Sequence, residues 1–252
     1  MNRTGLSGNR GVLLLVMAGV AVVGGLLWTV WGWNARATLS GTNFYFWFLL
    51  CMCGELLRTS SSGKATATIA ACAHIASLLV LGRPEVMAVV GIATVVAGRL
   101  VHRRSWVESA FAAGTLMCVV ALARMVFDAL AVDGWRPSSL VAAGHYVPVL
   151  AAAAVYFVGA FAARFVWTVV EEGSVSTGRA QFGPGFEFLS AGTLLSLGML
   201  LAIQFKLAGA IGAMVVAIPV VVARHGLDSF GRAGGRQRSD SVLSHERPRV
   251  AA

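Results

Sequence analysis

Long apolar blocks separated by short polar links are the feature that most limits how this chain can fold. Each block has roughly 16 or more residues, close to the ~20 that cross a bilayer core of ~30 Å. The chain is 57% apolar, and only 12% of its residues are charged, whereas a typical soluble domain carries about 25%. The blocks do not alternate apolar and polar residues, as barrel strands would. We therefore predict an all-α, polytopic membrane helix bundle.

The blocks predict eight transmembrane helices, with seven or six as the alternatives. By residue number they span 11–31, 38–57, 65–81, 84–101, 106–132, 139–170, 188–203 and 207–223. The sixth block is longer than a bilayer requires, and Pro148 is its natural kink. The last two blocks are short and are separated only by Gln204, Phe205 and Lys206. The first block is longer than the ~7–15 residues of a signal h-region, so we predict a retained helix.

The distribution of Lys and Arg favours eight helices with both chain ends in the cytoplasm. In that arrangement 14 basic residues lie in inner segments and 4 lie in outer loops, as the positive-inside rule requires. A seven-helix chain would instead place the arginines of the C-terminal tail outside. The predicted organisation is a cytoplasmic N-terminus (1–10), a transmembrane domain (11–223) and a disordered, basic cytoplasmic tail (224–252).

The net charge of +9 is explained by this topology and by attraction to anionic lipid at the inner face. Lipid is therefore the first expected partner, together with protein partners or further copies of the chain. No nucleic-acid partner is predicted, and no small-molecule ligand can be named.

Polar residues at membrane depth are the first candidate functional residues. Arg124 and Asp128 lie four positions apart and share a helix face. They form either an intrahelical ion pair with Arg124 snorkelling outward or part of a ligand cavity. His74 lies in the middle of the third block, as a packed and hydrogen-bonded histidine or as a proton relay. His145 and Tyr146 belong either to an outer vestibule or to an ordinary aromatic belt.

A second candidate group lies at the predicted cytoplasmic face. Glu55 ends the second block, and it can pair with Arg58 or with the hairpin that carries Arg99, Arg103 and Arg104. We interpret the basic members of this group as anchors at the inner face of the membrane.

No catalytic or cofactor-binding pattern is found. Cys51 and Cys53 point away from each other on a helix, and no zinc spacing or disulfide framework occurs. There is no Gly-x-Ser-x-Gly, Walker or His-Glu-x-x-His motif. We predict no enzyme activity, no metal and no cofactor.

Four segments carry a resemblance to a known family. They are "GELLRTSSSGKATATIAACAHIASLLVLGRP", "GRLVHRRSWVESAFAAGTL", "EEGSVSTGRAQF" and "LAGAIGAMVVAIPVVVARHGLDSF". Between Phe46 and Arg224 the chain resembles the multi-helix N-terminal membrane domain of bacterial HD-GYP and GGDEF signalling proteins. That resemblance implies a sensory domain in the bacterial inner membrane. A catalytic domain would follow Ser229 and Phe230, but only a short tail follows here, so the family's enzymatic activity is not expected.

Three functional hypotheses remain. The leading one is a non-enzymatic sensory, regulatory or scaffold module of the bacterial inner membrane that acts through partners. The first alternative is a small-molecule transporter or substrate-binding subunit, with Arg124, Asp128, His74 and His145 around a cavity. The second alternative is an accessory subunit of a larger membrane complex.

Overall fold

The computed structural model describes residues 8–33, 41–56, 69–131, 146–172 and 184–245, and these ranges contain helices and no strand. The helices are α1 (Gly8–Trp33), α2 (Gly41–Leu56), α3 (Ile69–Val80), α4 (Arg83–Leu100), α5 (Trp106–Leu130), α6 (Tyr146–Glu172) and α7 (Pro184–His245). The all-α prediction is confirmed for this part of the chain.

Local chemistry explains where the central helices begin. Pro84 lies in the first turn of α4, where its missing N–H costs no hydrogen bond. Ser105 caps α5, and its hydroxyl accepts a hydrogen bond of 3.1 Å from the Glu108 backbone N–H. The predicted starts at residues 84 and 106 therefore agree with the structure to within one residue.

Helix α7 contains a break that the sequence placed a few residues too early. The predicted link was Gln204, Phe205 and Lys206, but all three are helical. The non-helical backbone lies at Ala208 (φ −132°, ψ 15°) and Gly209 (φ 64°, ψ −152°). A polar residue alone does not end a helix, whereas a positive φ does, and glycine adopts it at little cost.

The chain folds back at this break, so that α7 has two adjacent arms. Gly212 lies against the backbone carbonyl of Gln204, although eight residues of straight helix would separate them by about 12 Å. Further along, Leu197 of the first arm and Ala217 of the second line the same cavity. The two arms therefore pack side by side as a helical hairpin.

Three helical stretches of the described chain are long and apolar enough to cross a membrane: Trp106–Leu130, Tyr146–Val170 and Ala191–Val222. Gly11–Leu27, Asn43–Leu56 and Ala70–Val80 are apolar but shorter. These stretches support a multi-pass membrane bundle, whereas eight separate spans are not supported by length and hydropathy alone.

The outer surface of the bundle is apolar, as a lipid environment requires. Helix α1 exposes Val20 and Leu27, and the second arm of α7 exposes Ile211, Val215 and Val222, each more than 60% accessible. Large contiguous apolar surfaces of this kind are rare on soluble monomers and mark contact with a membrane or a protein.

Two helices organise the interior. Helix α5 packs against α1, α4 and α6, while α3 packs against α2, α4, α5 and α7. Every residue of α3 from Ala70 to Leu79 is buried. Gly114 of α5 lies directly against the α1 backbone at Ala21 and Val22, where a side chain would not fit.

Helix α7 is described up to His245. Residues 246–252 of the predicted disordered tail (224–252) lie outside the described ranges, and the disorder stays a prediction. Extending a formed helix adds one hydrogen bond per residue without a new nucleation step, which favours continuation beyond the apolar segment.

The break in α7 generates a test. We expect Gly209→Ala to lower the free energy of unfolding by about 1–3 kcal/mol, because only glycine adopts this backbone region without strain. Gly192→Ala is the matched control, since a Cβ there meets nothing within 4 Å and helical glycine-to-alanine changes stabilise by about 0.5–1 kcal/mol. Unfolding in mixed micelles measures both. An unchanged stability for the Gly209 variant would contradict the hairpin geometry.

Candidate functional site

Three buried polar side chains from three helices meet inside the bundle. They are Glu55 of α2, His74 of α3 and Tyr156 of α6, and we call them the polar line. Their exposed fractions are 5%, 1% and 3%. Neither water nor lipid therefore satisfies these groups, and each depends on the protein around it.

The imidazole of His74 is the centre of the polar line. Its Nδ1 lies 2.8 Å from the Tyr156 hydroxyl, a hydrogen bond that joins residues 82 positions apart. Its Nε2 has no hydrogen-bond partner within the described ranges, and the Glu55 carboxylate lies 4.0 Å from it. That separation exceeds a hydrogen bond of ~2.7–3.2 Å by about 1 Å.

The spacing of α2 explains why Glu55 points inward. Trp47, Cys51 and Glu55 follow each other at intervals of four and form one helix face. All three are buried, whereas Cys53 is exposed on the opposite side. The predicted divergence of the two cysteines is therefore confirmed.

Helix α3 presents its polar groups to the same interior. The Ser77 hydroxyl donates a 2.8 Å hydrogen bond to the backbone carbonyl of His74, one turn earlier. This bond satisfies the hydroxyl within its own helix, as buried serines in apolar helices commonly do. His74 is thus packed and hydrogen-bonded, which was one of its two predicted roles.

The polar line places one oxygen acceptor near each nitrogen of the His74 imidazole. A protonated imidazole has two N–H donors, and the two nearest acceptors are the Tyr156 oxygen and the Glu55 carboxylate. The first is already at hydrogen-bond distance, and the second needs only a small approach. The sequence prediction paired Glu55 with arginines instead. Arg58 lies outside the described residues, and the described partner at 4.0 Å is His74.

Arg124 and Asp128 form the predicted ion pair, with 2.9 Å between Arg124 Nε and Asp128 Oδ1. Arg124 does not snorkel outward, however. Its guanidinium donates to the backbone carbonyls of Leu78 and Leu81, the latter at 2.9 Å. The last carbonyls of a helix have no partner within it. Arg124 therefore caps the C-terminus of α3, because capping satisfies both the charge and the carbonyls.

A second arginine completes this group. Arg83, in the link between α3 and α4, donates from Nε to Asp128 Oδ2 at 2.8 Å. The two oxygens of one carboxylate thus bind two arginines from different elements. The group fixes the α3–α4 link to α5.

The inner-face candidates lie in the turn between α4 and α5. Arg99 stacks on Trp106 with 4.4 Å from its guanidinium carbon to the ring centroid. Arg104 forms an ion pair of 3.1 Å with Glu108. Arg103 is exposed and has a positive φ of 50°. No contact of these three with the Glu55 carboxylate is found among the described residues.

His102 was not predicted and makes the link that the arginines were expected to make. Its Nε2 lies 3.0 Å from the backbone carbonyl of Glu55, near the end of α2. Tyr156 was also missed, although a hydroxyl in the Ala-rich α6 sequence was a usable signal. Tyr146 is 40% exposed, and His145 lies outside the described residues.

A small cavity lies between α2, α3 and α7. Its volume is about 30 Å³, and Leu50, Cys53, Cys72, Leu197 and Ala217 are among its lining residues. A space of this size holds roughly one water molecule and is too small for an organic ligand. None of the predicted polar candidates lines it.

No family model, no curated protein and no solved structure matches this chain. The resemblance to a signalling membrane domain therefore stays a prediction.

The capping role of Arg124 generates a test. We expect Arg124→Met to reduce the free energy of unfolding by about 3–5 kcal/mol, because it strips the α3 carbonyls and one side of Asp128 of their donor. Arg83→Gln is the matched control: its side chain is 41% exposed, and exposed pairs contribute only about 0–1 kcal/mol. Equal losses in the two variants, measured by mixed-micelle unfolding, would rule out the cap.

Proposed function

We propose that this chain is a non-enzymatic, multi-pass protein of the bacterial inner membrane that acts as a sensory or regulatory module through partner proteins. The observation that carries the proposal is the polar line, in which three helices of an apolar core share a carboxylate, an imidazole and a phenol. Ionisable groups inside a membrane domain are expensive and are functional candidates by default. The stimulus that we assign to them is a proton.

Protonation of His74 changes the forces on the line. An uncharged imidazole is held by Tyr156, and its Nε2 is left without a hydrogen bond in the described structure. A charged imidazole attracts the Glu55 carboxylate by about 4 kcal/mol at 4 Å and an effective dielectric constant of 20. Desolvation offsets much of that attraction. In our proposal the distance between Glu55 and His74 decides which of the two states is favoured.

The surroundings of His74 set the balance between the two states. Burial away from water disfavours the imidazolium most, while Glu55 of α2 favours it and Arg164 of α6 opposes it. Tyr156 faces its other nitrogen, and Arg124 of α5 reaches α3 one to two turns further on. A movement that shortens the distance between the Glu55 carboxylate and His74 Nε2 would therefore favour the imidazolium.

A route from the polar line to the inner face is present. Closing the gap to His74 draws the end of α2 towards α3. The backbone carbonyl of Glu55 is the partner of His102 in the α4–α5 turn. A displacement of α2 is therefore passed to this turn, where we place contacts with partner proteins.

The proposed topology keeps eight spans and both chain ends in the cytoplasm. Two pairings support it, because each joins residues assigned to the same side. Arg83 of an outer link binds Asp128 in the outer half of α5, and His102 of an inner turn contacts Glu55 at the inner end of α2. The two arms of α7 supply the last two spans.

Transport receives less support from the described residues. That hypothesis needs Arg124, Asp128 and His74 around a common cavity. Instead, Arg124 and Asp128 bind each other and the end of α3, while His74 is directed towards α2 and α6.

Hydrogen–deuterium exchange in lipid nanodiscs tests the proton switch. Between pH 8 and pH 5, after correction for intrinsic exchange, we expect stronger protection at the end of α2 and in the α4–α5 turn. His74→Gln and Glu55→Gln should abolish that difference, because each removes one partner of the new ion pair. Tyr156→Phe should weaken it by freeing the imidazole ring.

The matched control is Tyr146→Phe on the same helix, since Tyr146 is exposed and Tyr156 is buried. Tyr146→Phe should show the same pH-dependent difference in exchange as the wild-type protein. A pH-dependent difference that survives in both the His74 and Glu55 variants would overturn the proposal. The proposal would also be overturned if the folded wild-type protein showed no pH-dependent difference in exchange.

A further inference from the structure

The turn between α4 and α5 is rigid although it lies at the edge of the bundle. The backbone N–H groups of Val101 and His102 both donate to the Ala97 carbonyl, and Arg104 N–H donates to the Gly98 carbonyl at 3.0 Å. The guanidinium of Arg99 adds a hydrogen bond to the Arg104 carbonyl. A turn held at so many points presents its side chains in fixed directions.

Arg103 occupies a position where glycine is the usual residue. Its φ is 50°, the only positive φ among non-glycine residues of the described chain. After the last turn of a helix this left-handed conformation normally belongs to glycine, and other residues adopt it at a cost. An exposed arginine in this strained conformation is therefore a candidate for a functional contact. It is exposed and forms no ion pair with any described residue.

Apolar side chains surround this arginine. Leu100 is 76% exposed, Val101 48% and Trp106 67%. Tryptophan is enriched where a protein meets the headgroups of a membrane, because its ring is apolar and its N–H is polar. The stacking of Arg99 on Trp106 holds that ring in place. A cation beside an exposed tryptophan and two exposed aliphatic chains is complementary to a phospholipid.

We propose that the α4–α5 turn binds the headgroup of an anionic phospholipid in the cytoplasmic leaflet. Arg103 pairs with the phosphate, Trp106 lies at the headgroup level, and Leu100 and Val101 contact the acyl chains. Arg104 is neutralised in part by Glu108, so Arg103 supplies the main free charge. The site shares the α4–α5 turn with the His102 contact but uses no residue of the polar line, so a failure of lipid binding would leave the test of the proton switch unchanged.

Lipid titration of the purified protein tests this site. Phosphatidylglycerol, phosphatidylcholine and inorganic phosphate are added separately to the protein in neutral detergent, and the melting temperature is followed. We expect phosphatidylglycerol to raise it and the other two to have little effect. Arg103→Gln should weaken the apparent affinity for phosphatidylglycerol about fivefold, since one basic residue near an anionic surface contributes about 1 kcal/mol. Lys206→Gln, another exposed cation at the opposite end, should leave it unchanged.

Arg103→Gly separates the lipid contact from the fold of the turn. Glycine relieves the positive φ, so this variant should melt at an equal or higher temperature without lipid and still respond weakly to phosphatidylglycerol. A full response in both Arg103 variants would overturn the site. If phosphatidylcholine raised the melting temperature as much as phosphatidylglycerol does, recognition of the lipid's charge would be overturned. If inorganic phosphate raised it equally, the site would bind a soluble anion and the lipid proposal would be overturned.

Discussion

The burial of α3 from Ala70 to Leu79 is the constraint on which the rest of the structure depends. A helix enclosed on every side can use neither water nor lipid for its polar groups, so each of them needs a partner from a neighbouring helix. His74 takes its partner from α6, and the carbonyls of Leu78 and Leu81 take theirs from Arg124 of α5. These bonds fix the positions of α5 and α6 around α3.

The C-terminus and the middle of α3 therefore have different physical characters. At its C-terminus, a carboxylate and two arginines form a closed set in which opposite charges are within 3 Å of each other. Nearer its middle, the imidazole and the carboxylate are left 4.0 Å apart. A tight ionic group keeps one arrangement, whereas a loose pair can change with protonation. The first serves as an anchor, and the second is where we place function.

The sequence predicted the helices well because apolar blocks and helix caps are local features. Residues 84–101 and 106–132 were recovered nearly to the residue, since Pro84 and Ser105 define the helix starts by themselves. The break in α7 was misplaced because Gln204 and Lys206 are polar, but only the backbone at Gly209 leaves the helix. The Arg124–Asp128 pair was also predictable, because four residues separate its members.

The candidate site was predictable only in part. Glu55 and His74 were each recognised, but their meeting depends on which faces of α2 and α3 pack together, and Tyr156 is 82 residues from its partner. The spacing of apolar residues along a helix indicates which face is buried, but it does not indicate which neighbouring helix covers that face. The direction of Arg124 was missed for the same reason, because the carbonyls it caps belong to another helix.

The central claim is that His74, held between Tyr156 and Glu55, takes up a proton. The most direct test is nitrogen NMR of the chain labelled with ¹⁵N-histidine in lipid bilayers, with His74→Gln to assign the signal among the five histidines. We expect a His74 imidazole whose Nδ1 resonance moves in Tyr156→Phe, and whose two nitrogens both become protonated as the pH is lowered. A His74 signal that changes neither in Tyr156→Phe nor with pH would contradict the central claim.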